Sequence, residues 1–173
     1  MTTASLQLKL QQLRREIAAM QSVLVAFSGG IDSSFVLRIA HEQLGNDALA
    51  VTAVSPTFPA SELEHATKIA AEIGARHEII QTDQLQIPAF VQNDASRCFH
   101  CKTDLYQLLD GLREPRCSQW VLDGTNLDDL TDDRPGIKAA RKWKVRSPLV
   151  SSWTEMLTTW ASKTAWSLSP TWS

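Results

Sequence analysis

Residues 28 to 33 read Ser28-Gly29-Gly30-Ile31-Asp32-Ser33, set between a short apolar run, Val23 to Phe27, and a segment of helical spacing from Ser34 to Leu44 that stops at Gly45. A strand that ends in two glycines and then opens a helix turns backbone N–H groups toward one point, where the helix terminus adds about half a positive charge. An oxyanion fits there. Gly29 and Gly30 allow backbone angles and a close approach that a β-carbon would obstruct, and the hydroxyls of Ser28 and Ser33 can donate to phosphate oxygens. Asp32 would repel a phosphate unless it works through a cation, so it is the candidate magnesium-binding residue; capping of backbone donors is its other available role. The loop lacks both the G-x-x-x-x-G-K-[ST] pattern, which places a lysine for terminal phosphoryl transfer, and the G-x-G-x-x-G of a dinucleotide site. Both absences count against those two chemistries and leave an oxyanion site, with a plain glycine turn before a helix as the other reading.

Two further groups could join it. Asp123-Gly124-Thr125-Asn126-Leu127-Asp128-Asp129 leads through Asp132 and Asp133 to a basic stretch with Lys138, Arg141 and Arg146. Such a loop can hold a metal or orient a nucleotide while the cations neutralise phosphate, and it can equally be a solvated acidic turn beside a basic helix surface. Cys98 and Cys101 form a C-x-x-C pair, which can bring two thiolates to one metal or close a redox disulfide, yet supplies only half of a four-cysteine site. Cys117 reads as a packing residue, His100 as incidental, and His41, His65 and His77 carry no motif.

These residues need a frame, and the hydrophobic pattern predicts one. Residues 5 to 20 carry apolar side chains near a 3.6-residue period, and Val23 to Phe27 suits a strand buried on both faces. Ala48 to Val54 predicts a second strand. Ser61-Glu62-Leu63-Glu64 has capping-box spacing before an apolar stripe that ends at Gly74. His77 to Ile80 predicts a third strand, Cys98 to Leu112 a helix, and Gln119 to Leu122 a fourth strand. Alternating strands and helices predict an α/β fold, a parallel β-sheet with helices on both faces of Rossmann-like type, whose ligands bind beyond the carboxyl ends of the strands.

Size and charge bound the function. A chain of 173 residues with 43% hydrophobic and 21% charged residues suits one globular domain. A net charge of -2 and a pI near 6.1 give no electrostatic footprint for nucleic acid. No stretch approaches the roughly 20 apolar residues of a membrane span, no signal-peptide pattern opens the chain, and three cysteines are too few for a disulfide framework, so a cytoplasmic setting without a membrane partner is expected.

The S-G-G-x-D-S pattern at residues 28 to 33 resembles the signature of the PP-loop ATPases at every fixed position. The resemblance implies ATP and magnesium as cofactors, with Ser28, Gly29, Gly30, Asp32 and Ser33 on the pyrophosphate and Ala53, Val54, Gly124 and Thr125 flanking the adenosine. Together with Cys98-Phe99-His100-Cys101-Lys102 and the stretch from Asp123 to Arg141, residues 5 to 150 resemble the ATP-dependent sacrificial sulfur transferase family (LarE). That resemblance implies adenylation of the carboxylates of a pyridinium carboxylate mononucleotide, followed by sulfur transfer, in making a nickel-pincer nucleotide cofactor, within a homo-oligomer. In its cluster-bearing branch three cysteines hold a [4Fe–4S] cluster, for which Cys98 and Cys101 are the candidate ligands here.

The 23 residues from Ser151 to Ser173 differ from this frame: six are Ser, five Thr and four Trp, and only Glu155 and Lys163 are charged. Domain organisation is accordingly read as an ATP-binding domain over residues 1 to 150 and an atypical tail over 151 to 173. A shifted reading frame accounts for the abrupt change of composition; a terminal packing helix with Trp153, Trp160 and Trp166 near one face is the other reading. No sulfur-donating cysteine is found in the tail, so the catalytic donor is unassigned. Other PP-loop chemistry, an amidating synthetase or a tRNA thiolase, and a nucleotide-binding truncation without turnover are the alternatives.

Overall fold

The computed structural model describes residues 3–56, 58–82, 97–126, 129, 140 and 142–150. Helix α1 (Thr3–Ala18) leads into strand β1 (Val23–Ala26), α2 (Ile31–Leu44) and, through a short 3₁₀ turn, β2 (Ala48–Val54). Helix α3 (Ala60–Ile73), β3 (Arg76–Gln81), α4 (Arg97–Arg113) and β4 (Trp120–Leu122) follow. The strands form one parallel sheet in the order β3-β2-β1-β4, with Val23 opposite both Ala48 and Trp120. The predicted α/β architecture is what the chain adopts.

β1 lies inside the sheet, and its apolar run reflects that place. Val23, Leu24 and Val25 are fully buried. Strand periodicity sends them to alternate faces. Val23 and Val25 pack with Leu13, Ile17, Phe35 and Ile69, from the helices α1, α2 and α3. Leu24 packs on the opposite face with Tyr106 and Leu109 of α4. Burying such a side chain stabilises the fold by about 1.5–3 kcal/mol, so the strand carrying the loop is held from both sides.

Several boundaries differ from the sequence reading, each for a local reason. Helix α2 begins at Ile31, not Ser34, because Gly30 adopts an extended N-cap conformation (φ -68°, ψ 160°) that lets Asp32 and Ser33 enter the first turn. Helix α3 begins at Ala60, with Pro59 as its N-cap and no side-chain capping bond, so Ser61 lies inside the helix and forms no capping box. The Pro59 carbonyl instead accepts the N–H groups of Glu62 and Leu63. Gly74 closes α3 in the left-handed conformation (φ 81°), donating to the carbonyls of Ala70 and Ala71.

Cys117 is exposed rather than packed. Its φ of 54° ends a turn whose carbonyl accepts a hydrogen bond from the Ser22 hydroxyl. Beyond β4, residues 146 to 149 begin a further parallel edge: Arg146 pairs with Leu122, Leu149 with Asn126, and Leu149 is fully buried. Residues 151 to 173 lie outside the described residues, as do Lys138 and Arg141.

Candidate functional site

The loop after β1 is braced by its own hydroxyls. Ser33 Oγ donates to the Gly30 carbonyl (3.1 Å), so the hydrogen between the two serines belongs to Ser28 Oγ, which donates to Ser33 Oγ (3.2 Å) and accepts the Gly30 N–H (3.2 Å). Gly29 makes the turn possible. Its φ of 78° is left-handed, and a β-carbon there would stand 2.9 Å from the Ala66 Cα of α3. The N-cap of α2 is Gly30, which has no side chain to cap the first turn. Those first-turn donors suit an anion.

The end of β4 presses against this turn. A β-carbon on Gly124 would lie 2.7 Å from the Ser33 nitrogen and 3.0 Å from the Asp32 carbonyl carbon, so only glycine permits the approach. On one side of Gly124, the buried Asp123 carboxylate accepts from Tyr106 Oη (2.6 Å), Thr125 Oγ1 (2.8 Å) and the Thr125 N–H (3.2 Å). Three donors offset the cost of burying that group. On the other side, Asn126 Oδ1 accepts the Asp129 N–H (3.2 Å) and the Asp129 carboxylate accepts the Asn126 N–H (3.1 Å), a reciprocal capping box. Asn126 Nδ2 also donates to the Asp32 carboxylate (3.0 Å).

Between these two loops and α4 lies a cavity of about 270 Å³. Ser28, Gly30, Asp32 and Ser33 border it from the first loop, Gly124 and Thr125 from the second, and Lys102 and Tyr106 from α4. Gly29 is buried in the turn behind it. Ala53 and Val54 do not border this cavity: they end β2, on the other side of β1, where the Val54 carbonyl accepts the Thr82 N–H. Arg146 is engaged elsewhere, stacked 4.6 Å over the Trp120 ring. Cys98 and Cys101 belong to the first turns of α4, and their side chains lie outside the described residues.

Sequence reasoning gave no role to Lys102 or Tyr106, and it placed Asn126 and Asp129 in a loop that could hold a metal or orient a nucleotide without foreseeing their mutual cap. The signals were present: Lys102, Leu105 and Tyr106 follow the i, i+3, i+4 spacing of one helix face, and N-x-x-D is a capping-box spacing.

The root of the loop has its own support. Thr52 Oγ1 donates its single hydrogen to the Phe27 carbonyl (2.7 Å), so it must accept from His77 Nε2 (2.8 Å), which fixes the hydrogen on that nitrogen. The His77 ring meets Phe27 edge-to-face at 5.5 Å. Burial holds the His77 pKa below its ordinary 6.5.

Fold and site together define a Rossmann-like nucleotide-binding domain of the PP-loop type. The asparagine synthase family profile matches residues 8–95, half of the chain. The chain belongs to that family of PP-loop ATP-utilising domains. It is 42% identical over 144 residues to an uncharacterised protein of Synechocystis sp., covering 83% of this chain and 54% of that protein. It is 36% identical over 147 residues to the pyridinium-3,5-bisthiocarboxylic acid mononucleotide synthase of Lactiplantibacillus plantarum, covering 84% of this chain and 53% of the synthase. The chain thus spans about half the length of these curated relatives. Among solved structures, the NMN synthetase of Francisella tularensis shares the fold with a TM-score of 0.68 at 14% identity, covering 88% of this chain and 67% of that structure. No helix among the described residues is long and apolar enough to cross a membrane.

Two predictions follow from this geometry. Gly124→Ala should cost about 1–3 kcal/mol in chemical denaturation, as expected for a β-carbon forced into filled space, and should abolish saturable ATP binding in calorimetry. For His77, the folded state prefers the neutral ring, so its contribution to stability is present above pH 6.5 and is lost as pH falls through the lower folded-state pKa. Denaturation midpoints measured across that window should fall more steeply for the parent than for His77→Gln.

Proposed function

We propose that this domain binds ATP with magnesium and activates a substrate carboxylate by adenylation, the substrate being a pyridinium carboxylate mononucleotide. The observation that carries the reading is the phosphate cradle: an uncapped helix start, a glycine-enforced second loop against it, and a cavity bordered by Lys102, Asp32 and Asp129. The relationship to a synthase named for a pyridinium bisthiocarboxylic acid mononucleotide supports the substrate class.

The donor set fits magnesium. Asp32 and Asp129 offer hard carboxylate oxygens beside the cavity, and no group of three acidic, histidine or cysteine side chains forms a complete cage among the described residues. Magnesium is suited to such a site, since it is held by one or two carboxylates together with substrate phosphates and water. When bound, it neutralises charge on the departing phosphate oxygens.

The chain's own residues supply orientation and charge. Backbone N–H groups of the first turn of α2 hold the β- and γ-phosphates, and the Ser28 hydroxyl turns from Ser33 to a phosphate oxygen. Lys102 brings a positive charge from the opposite wall. A carboxylate oxygen of the substrate then attacks the α-phosphorus, the bond to the oxygen bridging the β-phosphate breaks, and pyrophosphate leaves on the loop. The product is an acyl adenylate. With sulfur as the next nucleophile, the reaction belongs to the making of a nickel-pincer nucleotide cofactor; no described residue is assigned as the sulfur donor, and a cluster held by Cys98 and Cys101 is a proposal on the same footing.

The test is pyrophosphate release from ATP by the full chain, with and without a pyridine carboxylate mononucleotide. Substrate-dependent release is expected, and ATP binding without any substrate-dependent release would sink the adenylation reading. Asp32→Asn should reduce magnesium-dependent ATP affinity roughly tenfold or more, the scale of losing a charge-assisted contact, while Cys117→Ser leaves it unchanged. Equal losses would contradict the placement.

A further inference from the structure

The interaction least explained by phosphate binding alone is the one between the two loops. Asn126 and Asp32 are 94 residues apart in sequence, yet Asn126 Nδ2 lies 3.0 Å from Asp32 Oδ2. The same side chain accepts the Asp129 N–H through Oδ1, while its own N–H donates to Asp129 Oδ2. The amide orientation is dictated by its partners: turned over, it would set a carbonyl oxygen against the Asp32 carboxylate and an amino group against the Asp129 N–H. Asn126 therefore touches one carboxylate directly and fixes the other through a cap.

We propose that Asn126 is a positioning residue that locks Asp32 of the first loop to Asp129 of the second, so that the two carboxylates meet one magnesium ion as a fixed pair. The inference rests on the magnesium and ATP reading above and adds a residue to it. Asp32 occupies the first turn of α2, where its carboxylate also meets the favourable end of the helix dipole, which by itself sets no direction for the oxygens. A donor on one oxygen sets that direction. Asp129 is held in the same way, since its Oδ2 accepts the Asn126 N–H. Asn126 contacts no phosphate in this scheme. Its work is done on the orientation of the ligands, as is usual for groups that hydrogen-bond metal-binding carboxylates.

The two functions of the side chain can be separated. Serine is as good an N-cap as asparagine, so Asn126→Ser keeps an acceptor for the Asp129 N–H while losing the reach to Asp32. Asn126→Ala loses both. The experiment is calorimetric titration of the full chain with ATP in excess magnesium and again in EDTA, alongside the thermal midpoint of each protein without nucleotide. For Asn126→Ser, the thermal midpoint and the metal-free affinity should match the parent, while the gain in affinity on adding magnesium should shrink roughly tenfold or more, the scale reported for losing a group that orients a metal ligand. Asn126→Ala should show the same reduced gain together with a lower thermal midpoint. An Asn126→Ser protein whose magnesium gain equals the parent's overturns the inference while the proposed function stands. A parent protein that binds ATP equally with and without magnesium, or not at all, overturns both.

Discussion

A β-carbon on Gly124 would stand 2.7 Å from the Ser33 nitrogen, and this close approach decides how the site is built. Because β4 and β1 are parallel neighbours, the turns that follow them leave the sheet on the same edge and compete for the same space. Glycine resolves the competition by letting backbone pass against backbone. Asp123 and Asn126 then diverge on either side of it, one into the core against Tyr106, the other across to Asp32. The first-turn donors of α2, the acidic residues and Lys102 thereby border one cavity instead of three separate surfaces.

The approach is tolerable because both loops start from strands that cannot shift. β1 is paired on both edges and buried on both faces, and its pairing continues into the loop through the Phe27 N–H on the Val51 carbonyl. Thr52 and His77 add a lateral hold on the Phe27 carbonyl, one residue before the loop begins. Gly29 turning against Ala66 fixes the far side. A loop supported on three sides keeps its donors directed without a bound ligand, which lowers the ordering cost of binding an anion.

The strands and the first loop were legible in the sequence because their signals are local. A run such as Val23 to Ala26 has no amphipathic face to satisfy, and two consecutive glycines before a helical pattern have few other uses. Helix starts were less legible: Ser61 offered the spacing of a cap, but Pro59 already supplied the backbone geometry and an accepting carbonyl. What could not be read were contacts between distant segments. Nothing near Asn126 announces Asp32, and Lys102 gains meaning only once α4 packs over β1 and β4. Ala53 and Val54 end β2 at the same carboxyl edge of the sheet as the loop, on the other side of β1 from the cavity.

Pyrophosphate recognition is the central act of the function proposed for this domain, and the PP-loop family assignment and the cradle support it. The most direct measurement is a titration of the isotope-labelled protein with inorganic pyrophosphate and magnesium, followed by amide resonances in NMR. Pyrophosphate recognition by this loop predicts saturable shifts concentrated at the backbone amides of Gly30 to Ser33, with smaller shifts at Gly124 and Thr125. Shifts that bypass these amides, or a loop that does not respond at saturating pyrophosphate, would contradict it.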